Sequence, residues 1–157
     1  MPSKLDEIDV KILNCLQRDA RITDKELSAK ACITIKTLNN RKKRLIEAGY
    51  IKRYGVELDP NKVGKTLIAF ANITLERNSI DNVIMFMEKM MKIPEIVECH
   101  YVNGLYDFIL KIMVSDMPEY YVFIATKLCI SGIKTIKSDI VLLASRNVID
   151  LSNLGKK

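Results

Sequence analysis

The sequence contains few residues of the types that build catalytic and metal sites. It has one histidine, His100, and four cysteines, which lie far apart at positions 15, 32, 99 and 129. Because there is no CxxC pair, neither a zinc site nor a disulfide framework is expected, and buried free thiols are the default interpretation. No nucleophile–base pairing or glycine-rich phosphate loop is visible. The sequence therefore predicts no catalytic residues, no metal and no cofactor, which argues against an enzyme.

Long apolar segments are also missing. No run approaches the roughly 20 apolar residues that span a bilayer, and residues 1–9 carry charges instead of the apolar stretch of a signal peptide. The chain is thus predicted to be cytoplasmic, with no membrane partner. Its hydrophobic content of 48% still suffices for a packed core, and its 157 residues allow one or two small domains.

Positive charge is concentrated in the first third of the chain. Residues 1–62 hold 14 lysines and arginines against nine acids, a net charge of +5 out of the total of +6. Between Lys36 and Arg53 there are seven basic residues and one acid, Glu47. Because like charges three or four positions apart weaken a helix, the cluster favours a partner that neutralises it, such as nucleic-acid phosphates. The alternative is a solvated basic helix face.

The basic cluster belongs to a predicted pair of short helices. Thr23 begins the first helix with a capping box, the turn falls at Cys32–Ile33, Thr34 caps the second helix, and Gly49 ends it. An amphipathic helix over Leu5–Gln17 precedes the pair and would support it. Two capped helices joined by about three residues are typical of a helix-turn-helix. Residues 1–50 are therefore predicted to be a DNA-binding domain.

The second helix of the pair is the predicted recognition helix. The first residues of such a helix contact base edges, and basic residues further along hold the DNA backbone. Thr37 and Asn40 are therefore predicted to contact bases, and Arg41 and Arg44 to contact phosphates. With Lys36, they make up the predicted DNA-binding set.

The rest of the chain predicts a linker, a second domain and a tail. Alternation over Tyr50–Leu58 predicts a linking strand and hinge within residues 51–63, and this strand would pair with its copy in a second subunit because an isolated strand is unstable. Residues 64–146 show the order β-α-β-β-α-β of a ferredoxin-like domain, and residues 147–157 form a polar tail. The predicted fold class is α+β. The predicted elements are strand Thr66–Leu75, helix 80–91, strand Ile96–Val102, a turn at Asn103-Gly104, strand Asp107–Val114, helix Met117–Cys129 and strand Ile133–Leu143.

Nearly the whole chain resembles the Lrp/AsnC family, the feast/famine transcriptional regulators of bacteria and archaea. The matching segments are residues 5–13 (LDEIDVKIL), residues 19–28 (DARITDKELS), the recognition helix, residues 102–108 (VNGLYDF) and Gly132-Ile133. The resemblance implies a domain that dimerises through its sheet and assembles further, typically to octamers. It also implies that an amino acid binds between dimers near Gly104 and Asp107. The sequence departs from the family at Asn103, where threonine is usual.

The implied effector site also makes chemical sense. Backbone N–H groups around a glycine turn suit a carboxylate, and an aspartate suits an α-ammonium group. The alternative is an ordinary hairpin turn at Asn103-Gly104, in which the Asp107 side chain bonds to the backbone of the turn. The predicted function is a sequence-specific transcriptional regulator that binds double-stranded DNA as a homodimer or octamer and responds to an amino acid. An effector-independent DNA-organising protein of the same fold is the alternative.

Overall fold

The computed structural model of the protein describes residues 5–144 and Leu151. They form two compact units, one reaching to Glu57 and including Leu151, the other spanning Leu58–Ala144. No helix in this part of the chain is both long and apolar enough to cross a bilayer. The division falls inside the predicted 51–63 linker. Of the predicted tail, only Leu151 lies within the described residues, and it packs against the core of the first unit.

Three helices build the first unit. α1 spans Glu7–Arg18, α2 spans Asp24–Ala31 and α3 spans Ile35–Glu47. Each starts after a residue whose side chain accepts a hydrogen bond from a backbone N–H of the first turn, which satisfies a group that a helix start leaves unpaired. Their apolar faces meet in one core, formed by Ile12, Leu13, Leu27, Ala31, Leu38 and Leu45.

The turn between α2 and α3 lies where the sequence placed it. Cys32 ends α2 in the left-handed conformation, with φ 55° and ψ 44°, and no other non-glycine residue of the described chain has a positive φ. Thr34 caps α3, and Gly49 follows α3 with φ 78°, the conformation that glycine adopts at least cost. The predicted helix-turn-helix is therefore confirmed.

The linking strand predicted over Tyr50–Leu58 does not form in the single chain. Residues 51–59 have no regular secondary structure, and none of them pairs with another described residue in a sheet. A strand needs a neighbouring strand for its backbone hydrogen bonds, and the predicted neighbour is the same segment of a second subunit. Within one chain, that neighbour is missing.

The second unit has the predicted β-α-β-β-α-β order. The four strands form an antiparallel sheet in the order β2-β3-β1-β4, which confirms the ferredoxin-like α+β fold. The second helix, α5, continues into one π-helical turn over Ile124–Leu128. The elements are β1 Leu67–Leu75, α4 Ile80–Met90, β2 Ile96–Tyr101, β3 Phe108–Val114, α5 Met117–Phe123 and β4 Ile133–Ile140.

The helices cover one face of this sheet and leave the other open. Alternate residues of β1 and β3 are buried under α4 and α5, and the residues between them are only half-buried, except for the buried Asn72. Four large apolar side chains of the open face are Ile68, Phe70, Ile109 and Met113. β4 ends at Ile140 instead of the predicted Leu143, although the Val141 N–H still donates to the Ile68 carbonyl of β1 at 2.9 Å.

The cysteines differ from the prediction of buried thiols. All four are free, but Cys32 and Cys129 are exposed, while Cys15 and Cys99 are half-buried. Burial raises the pKa of the Cys99 thiol to about 11. His100 is exposed, with Nε2 3.2 Å from a carboxylate oxygen of Glu98.

Candidate DNA-binding and effector sites

The first residues of α3 are presented to solvent. Leu38 is fully buried in the helical core, whereas Lys36, Thr37 and Asn40 are exposed. Thr37 also takes part in the helix cap, since its N–H donates to Thr34 Oγ1 at 3.2 Å and the two hydroxyl oxygens lie 2.9 Å apart. The predicted base-contacting residues are therefore accessible, on the part of the helix that enters a DNA groove in this motif.

Arg41 and Arg44 lie in an ion-pair cluster that the sequence interpretation did not foresee. Arg41 Nη1 donates to Asp6 Oδ2 at 2.6 Å and to Asp9 Oδ1 at 2.8 Å. Arg44 Nη2 donates to the other carboxylate oxygen of Asp9. The Asp9 side chain is fully buried, Arg41 is 21% exposed and Arg44 is 47% exposed. The cluster thus joins the start of α1 to the middle of α3.

The titration behaviour of the cluster follows from these contacts. Burial raises the pKa of Asp6, but hydrogen bonds from Arg41 and from the Asp9 N–H outweigh it, so the pKa lies below its usual value. Hydrogen bonds to Asp6 and Asp9 raise the pKa of Arg41. Asp6 and Arg41 therefore remain charged near neutral pH.

Helical spacing contains the information that would have revealed this cluster. Arg41 lies three residues after Leu38 and four before Leu45, so it shares their core-facing side of α3. Asp9 lies three and four residues before Ile12 and Leu13, on the buried side of α1. A carboxylate and a guanidinium on two apolar faces that pack together are expected to pair.

Other cations of α3 are also neutralised within the unit. Lys42, which follows Leu38 by four residues, donates to Asp24 Oδ1 of α2 at 2.8 Å. Lys43 lies 3.8 Å from Glu47, one turn further along, and both side chains are largely exposed. Lys36 has no ion-pair partner among the described residues.

The predicted effector residues lie in the connection between β2 and β3. This connection spans residues 102–107 as a series of bends, which is longer than the two-residue turn that Asn103-Gly104 suggested. Gly104 has open space around it and no positive φ. The N–H groups of residues 103–106 have no acceptor in the described part of the chain. Four adjacent unpaired donors are thus held on one exposed loop.

Asp107 is bonded to the rest of the domain. One carboxylate oxygen accepts from the Leu75 N–H at 2.7 Å, and the other accepts from Asn78 Nδ2 at 2.6 Å. The Asp107 N–H donates to the Ile73 carbonyl at 2.8 Å. Asn78 in turn accepts from the hydroxyl of Tyr101 at 3.2 Å. Asp107 therefore fixes the end of β1 and the start of the following loop, a contact that the sequence did not indicate.

A helix-turn-helix with an exposed recognition helix, followed by a ferredoxin-like domain, defines a DNA-binding regulator. Two family models match the two halves of the chain: a winged helix-turn-helix DNA-binding domain at residues 5–52 and the Lrp/AsnC ligand binding domain at residues 68–150. The chain belongs to the Lrp/AsnC family of transcriptional regulators, and it is not an enzyme.

Individual relatives agree with this assignment. The leucine-responsive regulatory protein of Escherichia coli K12 is 40% identical over 116 residues, covering 74% of this chain and 71% of the relative. The Bkd operon transcriptional regulator of Pseudomonas aeruginosa is 31% identical over 87% of this chain and 90% of its own length. A Neisseria meningitidis transcriptional regulator, solved in complex with L-Met, superposes with a TM-score of 0.88 at 29% identity, covering 96% of this chain and 99% of that one.

Proposed function

We propose that this regulator responds to an amino acid that binds at the 102–107 loop of the second unit. The observation that carries the proposal is the set of unpaired N–H groups at residues 103–106 beside the Asp107 carboxylate. The carboxylate of an amino acid would bind these N–H groups, and its ammonium group would bind the Asp107 carboxylate. The leucine-responsive relatives and the L-Met complex of the Neisseria meningitidis regulator support an amino acid as the effector class.

The ligand would act on an assembly of chains. The open face of the sheet presents Ile68, Phe70, Ile109 and Met113, an apolar surface that a second copy would cover to form a homodimer. Several dimers would then form an octamer or a similar ring. An effector that binds one arrangement better than another shifts the population and thereby the affinity for DNA. A regulator that binds the chromosome must also share its compartment, in agreement with a cytoplasmic location.

The alternative, an effector-independent DNA-organising protein, is favoured by one observation. Both carboxylate oxygens of Asp107 already accept hydrogen bonds from Leu75 and Asn78. A structural role alone would therefore account for this residue. The two functions differ in whether any amino acid changes the stability of the protein or its binding to DNA.

The first experiment is a thermal-shift measurement with each of the twenty amino acids. A ligand present at a hundred times its dissociation constant stabilises the form that binds it by about 2.7 kcal/mol, which is easily detected. We expect one or a few amino acids to raise the transition temperature. A flat set of curves would contradict the proposal and favour the effector-independent function.

A pair of variants then tests the site. Asp107→Asn removes the charge and one acceptor, whereas Asn78→Ala removes one donor to Asp107 and leaves the carboxylate in place. Asp107→Asn loses one hydrogen bond of this set and Asn78→Ala loses two, those with Asp107 and Tyr101, so both should be slightly destabilised. Only Asp107→Asn should lose the response to the effector while retaining affinity for DNA. If both variants respond normally, Asp107 does not bind the ligand, even though the protein remains effector-responsive.

A further inference from the structure

The ion pairs of the first unit change which cations are available to DNA. Of the five basic residues of α3, only Lys36 has no carboxylate partner in the described part of the chain. Lys43 has the weakest ion pair, because its exposed contact with Glu47 at 3.8 Å contributes little to stability. Arg41 is held most firmly, by two carboxylates, one of them fully buried. The dense positive charge of the sequence is therefore largely compensated inside the fold.

Unpaired cations remain at both ends of the recognition helix. Lys36 is exposed in its first turn. Lys52 and Arg53 are exposed a few residues beyond its last turn, and neither has an ion-pair partner among the described residues. The helix of 13 residues is about 20 Å long at about 1.5 Å per residue. Since the major groove is about 12 Å wide, cations at the two ends can reach the backbones on its two sides.

Arg41 differs from these cations in being held by carboxylates of the same unit. It lies on the core-facing side of α3, three residues after Leu38, and reaches back to Asp6 and Asp9 at the start of α1. Turning it outward would leave the fully buried Asp9 carboxylate with Arg44 as its remaining cationic partner. Lys36 makes no such contact and can bind a phosphate at no cost to the fold.

We propose that Lys36, Lys52 and Arg53 hold the DNA backbone, and that Arg41 is a positioning residue which fixes α3 on α1 without touching phosphate. This replaces the role that sequence spacing assigned to Arg41. It concerns the DNA interface alone and does not depend on whether an amino acid binds the second unit.

The salt dependence of DNA binding tests the proposal, because each phosphate contact adds about 0.9 to the magnitude of the slope of log K against log salt. The full chain is titrated with a mixed-sequence duplex over a series of KCl concentrations, and the slope is expressed per bound chain. Lys36→Gln should lower its magnitude by about 0.9, and the double variant Lys52→Gln/Arg53→Gln by about 1.8.

The matched control is Lys11→Gln, which removes an exposed cation of the same unit from the side of α1 opposite to Ile12 and Leu13. Its slope should stay unchanged. Arg41 is tested as Asp9→Asn/Arg41→Gln, which removes one charge of each sign, and as Arg41→Gln alone. Circular dichroism at the binding temperature confirms that each variant is folded.

The proposal requires that the salt slopes of the Arg41 variants differ from those of the Lys36 and Lys52/Arg53 variants. The Arg41 variants should keep the wild-type slope, even if their affinity falls at every salt concentration. A loss of about 0.9 in a folded Arg41 variant would make Arg41 a phosphate contact. Unchanged slopes in the Lys36 and Lys52/Arg53 variants would overturn the proposal by themselves, whatever the Arg41 variants show.

Discussion

The substitution Asp9→Asn probes the contact that holds the recognition helix in place. The carboxylate is fully buried and accepts hydrogen bonds from Arg41, from Arg44 and from the Asp6 N–H. An asparagine keeps the shape but places an NH₂ group, a donor, against one of these donors. Losing one charge-assisted hydrogen bond costs about 2–3 kcal/mol. The cost stays below the roughly 3–5 kcal/mol of an orphaned buried charge, because both arginines are partly exposed and Arg41 retains Asp6.

Hydrogen exchange of the full chain, followed by mass spectrometry, measures this cost within the first unit. We expect the free energy of opening of α1 and α3 to fall by about 2–3 kcal/mol and that of the sheet to stay unchanged. Asp24→Asn is the control, since its ion pair with Lys42 also joins a helix to α3 but is only partly buried and should cost about 1 kcal/mol or less. Equal effects of the two substitutions would refute the argument, because burial of Asp9 would then have no energetic consequence.

Two further predictions concern single groups. Cys32 is exposed and has a φ of 55°, so Cys32→Gly should stabilise the first unit by about 0.5–1 kcal/mol. Gly49 has a φ of 78°, so Gly49→Ala should destabilise the unit by a similar amount in urea unfolding. Two shifts of the same sign in the free energy of unfolding would contradict this reasoning. Hydrogen bonds from the Ser115 hydroxyl and N–H, assisted by Lys65, lower the pKa of Glu119 to about 2. A lowered pKa gives stability that is present above the unfolded value near 4.3 and is lost as pH falls towards 2. Glu119→Gln should therefore flatten the acid loss in this window, and an unchanged acid profile would exclude the effect.

Local patterns were sufficient for most of the fold. The caps at Thr23 and Thr34 and the glycine at position 49 each act within one helical turn, so the sequence alone contains their signals, and the structure confirms them. The β-α-β-β-α-β order was predictable for the same reason, because alternation and helical spacing are local properties. Apart from the linking strand, the elements agree with the predicted ones except for shifts at their ends, where fraying and pairing decide the last residues.

Contacts between distant residues were not predicted, although some left a trace in the sequence. The like charges of α3 suggested an external partner, because the carboxylates that pair with them inside the fold, Asp6, Asp9 and Asp24, lie outside that helix. The spacing of Arg41 and Lys42 from Leu38 did place both on the inward side, and this signal was missed. Asp107 left no comparable trace, since its partner Asn78 is on another loop. The linking strand does not form in the single chain, and its pairing with a second subunit stays a prediction.

The internal neutralisation of α3 has a consequence for how the protein must bind DNA. The three proposed phosphate contacts per chain would give a slope of about −2.7, so that a fourfold rise in salt would weaken binding about 40-fold. If all seven basic residues from Lys36 to Arg53 contacted phosphates, the loss would be about 6,000-fold. With so few backbone contacts, a single helix-turn-helix would depend more on base contacts such as those predicted for Thr37 and Asn40. Firm binding then requires several copies acting on one duplex, since two linked copies multiply their contributions. Any ligand that alters the assembly of the second units would thereby control DNA occupancy without touching the recognition helix.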